Sequence, residues 1–301
     1  MIRSVTVTNY LGDSIKLELS NPESSGFIIK SIDGLGPGTA SINVTEIATN
    51  DGSIYNSARV QSRNITIILE YMWQDSIETI RQLSYKYFPL KKKLTLLFET
   101  DNRLSEIEGY VESNEPDIFS KNESATISII CPYPFFYEYG KQITIFSGIE
   151  PVFEFPFSNE SLTDDLLIMG KIENKKDNII TYFGDVETGI IITIHAIGDV
   201  GDVSIYNTTT REVITIESAK LESFTGSALK EGDDIIINTN QNQKSVKLLR
   251  EGKETNIINC MAKNMDWFKL SKGNNVFVYT AKEGESNLQF QIENRIVYEG
   301  I

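Results

Sequence analysis

The sequence predicts a mainly β protein in two parts: a β-rich α+β domain with one clear helix over residues 1–141, then an antiparallel β-sandwich over residues 142–301. Three observations predict it. Apolar and polar residues exchange at a period near two through most of the chain, which marks half-buried strands. One segment, from about Ser76 to Phe88, has strong helical spacing instead. The length of 301 residues exceeds the usual size of one domain, which is roughly 150 residues.

Alternation begins at once with Ile2, Val5 and Val7 and resumes with Ile15, Leu17 and Leu19. Three glycines and Pro37 between Ser31 and Ala40 punctuate the chain too densely for a helix or central strand, so this stretch is expected to be an irregular loop. A second loop centres on Asn50-Asp51-Gly52, whose Asp-Gly pair tolerates a tight turn. A strong strand follows from Asn64 to Tyr71. The helix places Ile77, Ile80, Leu83, Ser84, Tyr87 and Phe88 on one stripe. Asp75 is positioned to cap it, Glu78 follows three residues later, and Pro89 ends it because proline supplies no amide proton. Strands at Leu94 to Glu99, Ile107 to Val111 and Ala125 to Ile130 complete the first domain. Cys131-Pro132-Tyr133-Pro134-Phe135-Phe136-Tyr137 is stiff and extended, and the domain boundary is placed just after it.

Beyond Ile143 no good helix is evident. Short strands are expected at Gln142 to Phe146, Val152 to Phe157, Ile179 to Tyr182, Ile190 to Ala196, Val203 to Asn207, Glu212 to Ile216, Asp234 to Asn238, Ser245 to Leu249, Asn275 to Thr280 and Leu288 to Ile292. That series, broken by turns such as Glu231-Gly232-Asp233 and Glu251-Gly252, reads as an antiparallel sandwich. No internal repeat is convincing.

Composition excludes several classes. The balance of 28 basic against 42 acidic residues gives a formal charge of −14, which opposes tight nucleic-acid binding. No apolar run approaches the roughly 20 residues needed to span a bilayer, and no secretory signal is visible at the start, so no membrane insertion is expected. Cys131 and Cys260 lie far apart without metal-ligand spacing and read as buried free thiols.

Catalytic chemistry finds little to work with. His195 is the only histidine, and it points away from the face formed by Ile190, Ile192, Ile194 and Ala196. It reads as a surface residue. Neither a hydrolytic triad nor a zinc site has its ligands. The pairs Asp164-Asp165 and Asp233-Asp234 read as solvated turn carboxylates, and Asp199 with Asp202 lacks the ordered spacing of an EF-hand calcium loop. Gly34-Leu35-Gly36-Pro37-Gly38 fails as a phosphate cradle, since Pro37 removes an amide and no helix follows. Its glycines instead permit an unusual backbone path. Lys91-Lys92-Lys93 reads as a solvated basic turn at the helix exit. The chain is therefore expected not to be an enzyme, with no catalytic, cofactor-binding or metal residues and no cofactor.

An ordered series of motifs resembles the distal tail proteins of siphophages, a phage tail protein family. It comprises Asp33-Gly34-Leu35-Gly36-Pro37, Asp51-Gly52 with Tyr55, Arg59 to Asn64, Trp73 with Arg81, Gly109-Tyr110-Val111-Glu112-Ser113 with Glu115-Pro116, and Cys131-Pro132-Tyr133-Pro134-Phe135. In the second half, Gly184-Asp185-Val186-Glu187-Thr188, Asn207-Thr208-Thr209-Thr210, Glu231-Gly232-Asp233 and Trp267-Phe268-Lys269-Leu270 with Gly273-Asn274-Asn275 are similar to the galectin-like sandwich of the same family.

The resemblance implies a structural component of the virion, made in the host cytoplasm and located at the distal end of the tail. There it forms a hexameric ring, with the first domains as a belt, joining the tail tube protein to the tail-tip hub and the host-adsorption apparatus. Implied partners are other copies of the chain, the tube and hub proteins, and beyond them the tape-measure and receptor-binding proteins. A DNA conduit sharing the chain's negative charge would discourage adhesion. The alternative is a carbohydrate-binding accessory module for host attachment. It has Trp267 in its favour and lacks the galectin sugar-binding run around His195. The aromatic residues Tyr133, Phe135, Phe136, Tyr137 and Tyr139 are expected to pack within the chain or at an interface.

Overall fold

The computed structural model describes residues 1–48, 51–72, 76–150, 171–174 and 177–301. Trp73, Asp75, the expected strand Val152 to Phe157 and the pair Asp164-Asp165 lie outside the described residues. The protein is mainly β and divides into two compact units, Met1–Gly140 with Val297–Ile301, and Lys141–Ile296. Unit 2 is thus inserted in unit 1 rather than simply following it. The last five residues differ from the contiguous division expected from the sequence, because Val297–Tyr298 forms a short strand of unit 1.

Unit 1 contains β1 (Ile2–Thr8), β2 (Ser14–Glu18), β3 (Phe27–Asp33), β4 (Ala40–Glu46), β5 (Ser53–Val60), β6 (Arg63–Tyr71), helix α1 (Ile77–Tyr87), β7 (Lys93–Thr100), β8 (Leu104–Asp117), β9 (Ser124–Cys131) and β10 (Phe136–Glu138). Its main sheet runs β2-β1-β7-β8-β9-β6-β3, and β10 bridges β8 and Val297–Tyr298. Every pairing in it is antiparallel. Alternation puts Val5, Val7, Ile65, Ile67, Leu69, Leu94, Leu96, Phe98, Ile127 and Ile129 on one buried face. Helix α1 adds the buried Ile80 to that core, with Ile77, Leu83 and Tyr87 packed at its margin. The helix stops where the Phe88 amide donates to the Ser84 carbonyl, just before Pro89.

Three strands depart from the sequence expectation. Phe27–Asp33 continues three residues into the predicted loop, and among the described residues β4 and β5 pair only with each other.

Unit 2 contains β11 (Gln142–Ile145), β12 (Ser147–Glu150), β13 (Lys171–Asn174), β14 (Asp177–Tyr182), β15 (Ile191–Ala196), β16 (Val203–Asn207), β17 (Glu212–Ile216), helix α2 (Ser218–Thr225), β18 (Asp234–Asn238), β19 (Ser245–Arg250), β20 (Lys253–Asn256), β21 (Gly273–Ala281) and β22 (Leu288–Asn294). Two antiparallel sheets form, ordered β11-β22-β15-β18-β19-β20 and β14-β21-β16-β17. Their inner faces meet through aromatic residues: Tyr279 stacks on Phe290 at 5.4 Å, and Phe290 meets Phe146 edge-on at 4.7 Å. This is an antiparallel sandwich.

Helix α2 corrects the expectation of no helix in this half. It buries only Leu221, ends at Gly226 in the left-handed region (φ 86°), and has the Ser218 amide held by the Asp202 carboxylate at 2.7 Å. Asp202 is therefore occupied as a helix-start acceptor. Among the described residues, no helix is long and apolar enough to cross a membrane.

Candidate assembly surface

Three of the motifs scattered along the first half of the sequence, Asp33 to Pro37, Arg59 to Asn64 and Cys131 to Phe135, meet at one side chain. Arg63 opens β6 opposite Cys131 and is 6% exposed. Its Nε donates to the Pro134 carbonyl at 2.6 Å, Nη1 to the carbonyls of Gly34 (2.6 Å) and Gly36, and Nη2 to that of Glu299 at 2.5 Å. Its guanidinium also lies 4.7 Å from the centre of the Phe136 ring. Burial pulls its pKa below the ordinary arginine value.

The glycine loop therefore presents carbonyl oxygens inward to a cation, the opposite polarity from a phosphate cradle. Gly34 is required there, because it has φ 87° and an added Cβ would stand 2.1 Å from the Asn64 carbonyl oxygen. Gly109 is required for packing: a Cβ there would meet the Ile129 side chain at 2.5 Å and Cys131 Sγ at 2.9 Å. Cys131 is fully buried, and that burial pushes its thiol up to about 12.

Arg63 fixes the root of the β4–β5 hairpin, the least covered element of unit 1. The register pairs Ala40 with Val60, Ile42 with Ala58 and Val44 with Tyr55, and an irregularity between Asn43 and Val44 accommodates Asn56. One face of the ribbon is consequently apolar (Ile42, Val44, Tyr55, Val60). The other carries Ser41, Asn43, Thr45, Ser57 and Arg59, together with the exposed Ile54 opposite Thr45, and Asn56 Nδ2 donates to Thr45 Oγ1 at 2.6 Å. Among the described residues this apolar face is largely uncovered: Ile42 is 62% exposed, Tyr55 63% and Val44 48%. An isolated two-stranded ribbon is marginally stable in water, and such a face marks an interaction surface. Sequence reading found its turn and its Tyr55 but missed the paired strands, whose alternation gives no hint that neither face is buried.

The other candidate residues occupy structural positions. His195 is partly exposed on the outer face of its sheet, and its Nδ1 lies 2.6 Å from Asp234 Oδ1 on the neighbouring strand. Asp233 corrects the reading of a solvated turn carboxylate. It is 1% exposed and takes a bidentate pair from Arg250, Nε to Oδ1 at 2.8 Å and Nη2 to Oδ2 at 2.5 Å. Arg250 also reaches Ser227 Oγ and the Ala228 carbonyl. Trp267 is half-buried, with Lys244 Nζ 5.2 Å from its ring centre. Of the aromatic cluster, Phe136 is core, while Tyr133 stacks on Tyr137 at 5.2 Å and meets Phe135 edge-on at 5.4 Å. Cys260, like Cys131, is a buried free thiol.

No protein-family model matches the sequence, and no curated protein matches it. Solved structures match the fold along nearly the whole chain. The SPP1 Dit protein, described as a paradigm of the hub adsorption apparatus in phages infecting Gram-positive bacteria, matches with a TM-score of 0.66 and 10% identity over 97% of this chain and 98% of its own. A chain of the phage P2 baseplate in its activated conformation with Ca matches with a TM-score of 0.51 and 13% identity over 98% of both chains. The chain shares the fold of these phage hub and baseplate proteins.

Proposed function

We propose that this chain is a non-catalytic distal tail protein of a phage, a subunit of a ring, typically of six copies, that joins the tail tube to the tail-tip hub and adsorption apparatus. The observation that carries the proposal is the β4–β5 hairpin: an amphipathic ribbon with its apolar face open, rooted rigidly by Arg63, on a fold shared with an adsorption-hub protein. A second copy would cover that face and remove the exposed-edge hazard of an isolated ribbon.

The charge of unit 1 suits a conduit for DNA. Along β8 the outward side chains Glu106, Glu108, Glu112, Glu115 and Asp117 put five carboxylates on the uncovered face of the sheet. The sandwich of unit 2, which this reading takes to be galectin-like, serves as the projecting module.

The proposal is tested by native mass measurement of the chain alone and with its tube and hub proteins. A closed homo-oligomer, lost when Ile42 and Tyr55 are both changed to Ser, is the expected result. A strict monomer in every mixture would overturn it.

A further inference from the structure

We propose that residues 297–301 are a clasp through which the folding of the sandwich sets the order of unit 1. Its consequence for assembly rests on the ring reading above, whereas the clasp itself is a property of the single chain.

The chain leaves unit 1 after Gly140 and returns to it at Val297. What returns is short and densely tied. Val297 is fully buried and pairs with Tyr137, and Tyr298 pairs with Phe136. Arg103, in the β7–β8 turn, lays its guanidinium 4.2 Å from the centre of the Tyr298 ring and donates from Nη2 to the Gly300 carbonyl at 2.9 Å. The Glu299 carbonyl accepts from Arg63 Nη2, and the Ile301 amide donates to the Leu35 carbonyl at 3.1 Å. Gly300 passes so close to the glycine loop that a Cβ on it would stand 3.0 Å from the Leu35 oxygen and 3.1 Å from the Gly36 carbonyl carbon. The segment thus fastens β10, the β7–β8 turn, Arg63 and the glycine loop to one another.

Whether so short a segment stays docked depends on how the chain brings it back. Within unit 2 the entering and leaving strands are neighbours. β11 pairs with β22 from Gln142 opposite Asn294 to Ile145 opposite Gln291, and Asn294 Nδ2 donates to Gln142 Oε1 at 3.3 Å. Paired Cα atoms lie about 4.5–5.5 Å apart, so the folded sandwich returns the chain beside the point where it received it. Only Arg295 and Ile296 then separate Asn294 from Val297. An unfolded sandwich turns the same connection into a slack loop of roughly 150 residues in place of about 10, which disfavours closure of the clasp about 50-fold.

Opening the clasp takes the Glu299 carbonyl from Arg63 and the Ile301 amide from the Leu35 carbonyl. The glycine loop, and with it the root of the β4–β5 hairpin, is loosened. By linkage the effect is reciprocal, and a closed clasp stabilises the sandwich by the same factor. On the ring reading, a copy whose sandwich is unfolded presents a loosened unit 1 and is kept out of the assembly, so that completed subunits are the ones that enter it.

The test is hydrogen exchange on the full chain. Asp233→Ala, which weakens the sandwich, is brought to the urea concentration at which the β18 and β19 amides exchange freely. Protection of the 297–301 and 33–38 amides should then fall by roughly tenfold or more while β6 and β9 stay protected. Ile143→Cys with Glu293→Cys, a directly opposed pair in the β11–β22 ladder, should return that protection when oxidised and not when reduced, because the disulfide closes the loop without the sandwich. Protection of 297–301 that ignores the loss of the sandwich would overturn the inference, as would an oxidised pair that restores nothing. If β6 and β9 unfold together with the sandwich, the oxidised pair should separate the two transitions, and a single joint transition would count equally against the clasp. Gly300→Val, forced against the Leu35 carbonyl, should loosen the same amides with the sandwich intact and weaken self-association by roughly tenfold. Assembly at full strength in that variant would overturn the consequence for the ring. An unaltered chain that stays monomeric even with tube and hub proteins would remove the ring, and the exchange result would still decide the clasp.

Discussion

Replacing Arg63 with Met keeps the bulk of the side-chain stem and removes every donor that gathers the glycine loop, the Pro134 turn and the C-terminal segment. Four carbonyl oxygens lose a charged partner, and each such bond nets about 1.5–3 kcal/mol. Against that sum stands the cost of holding a guanidinium without a carboxylate in the interior, several kcal/mol that the Met variant no longer bears. Three of the four contacts are also only partly buried, so water can reach those oxygens. The balance is a loss of about 3–5 kcal/mol, a large share of the roughly 5–15 kcal/mol that holds a domain folded. With a urea slope of about 2 kcal/mol per molar, the midpoint for unit 1 should fall by about 2 M. Hydrogen exchange of the β6 and β9 amides during the titration reports on unit 1 separately from the sandwich. Arg63→Lys should recover less than half, because an ammonium on a flexible stem lacks the planar fork that reaches separate acceptors. A midpoint shift below about 0.3 M for the Met variant, or full recovery by Lys, would refute the reasoning.

Gly34→Ala should destabilise unit 1 by more than about 2 kcal/mol, through both its positive φ and the Asn64 carbonyl. Gly36→Ala, whose Cβ meets nothing within 4 Å, should be nearly neutral in the same melt. Asp233→Ala leaves Arg250 largely buried and unpaired, so unit 2 should lose about 3–5 kcal/mol by urea titration, whereas Glu251→Ala at the exposed end of the Lys230 pair should change little. The Cys131 thiol has a folded pKa raised by burial to about 12 from an ordinary value of 9.0. Its contribution to stability is present in full below the unfolded value and is lost as pH rises toward the folded one. A thiol reagent at pH 8 should leave native Cys131 untouched and label it in denaturant, and Cys131→Ala should soften the alkaline loss of stability between these values.

Much of the fold was legible because local periodicity and burial agree. Ile65, Ile67 and Leu69 alternate on a buried face of β6, and Ile77, Ile80 and Ser84 recur at helical spacing in α1, so each element announces its own partner face. Helix α2 was not legible, since Ser218–Thr225 is short, buries only Leu221 and is defined mainly by its two ends. The hairpin hid for the opposite reason: Ile42 and Val44 alternate properly but remain largely exposed among the described residues. Long-range pairings left no local trace. The return of Val297–Tyr298 to β10, the register that sets His195 beside Asp234, and the burial of Asp233 under Arg250 each depend on residues distant in sequence. The motif series around Arg63 was visible as a pattern. Its physical reason, four carbonyls meeting one guanidinium, emerged only when the chain was folded.

The central claim is that this chain forms a ring at the distal end of a phage tail, and electron microscopy of intact tails carrying a labelled copy tests it most directly. The account predicts density with rotational symmetry, closed around the tail axis, between the tube and the hub, with the label confined to that level. Label distributed along the tube, found on the head, or absent from purified particles would contradict it.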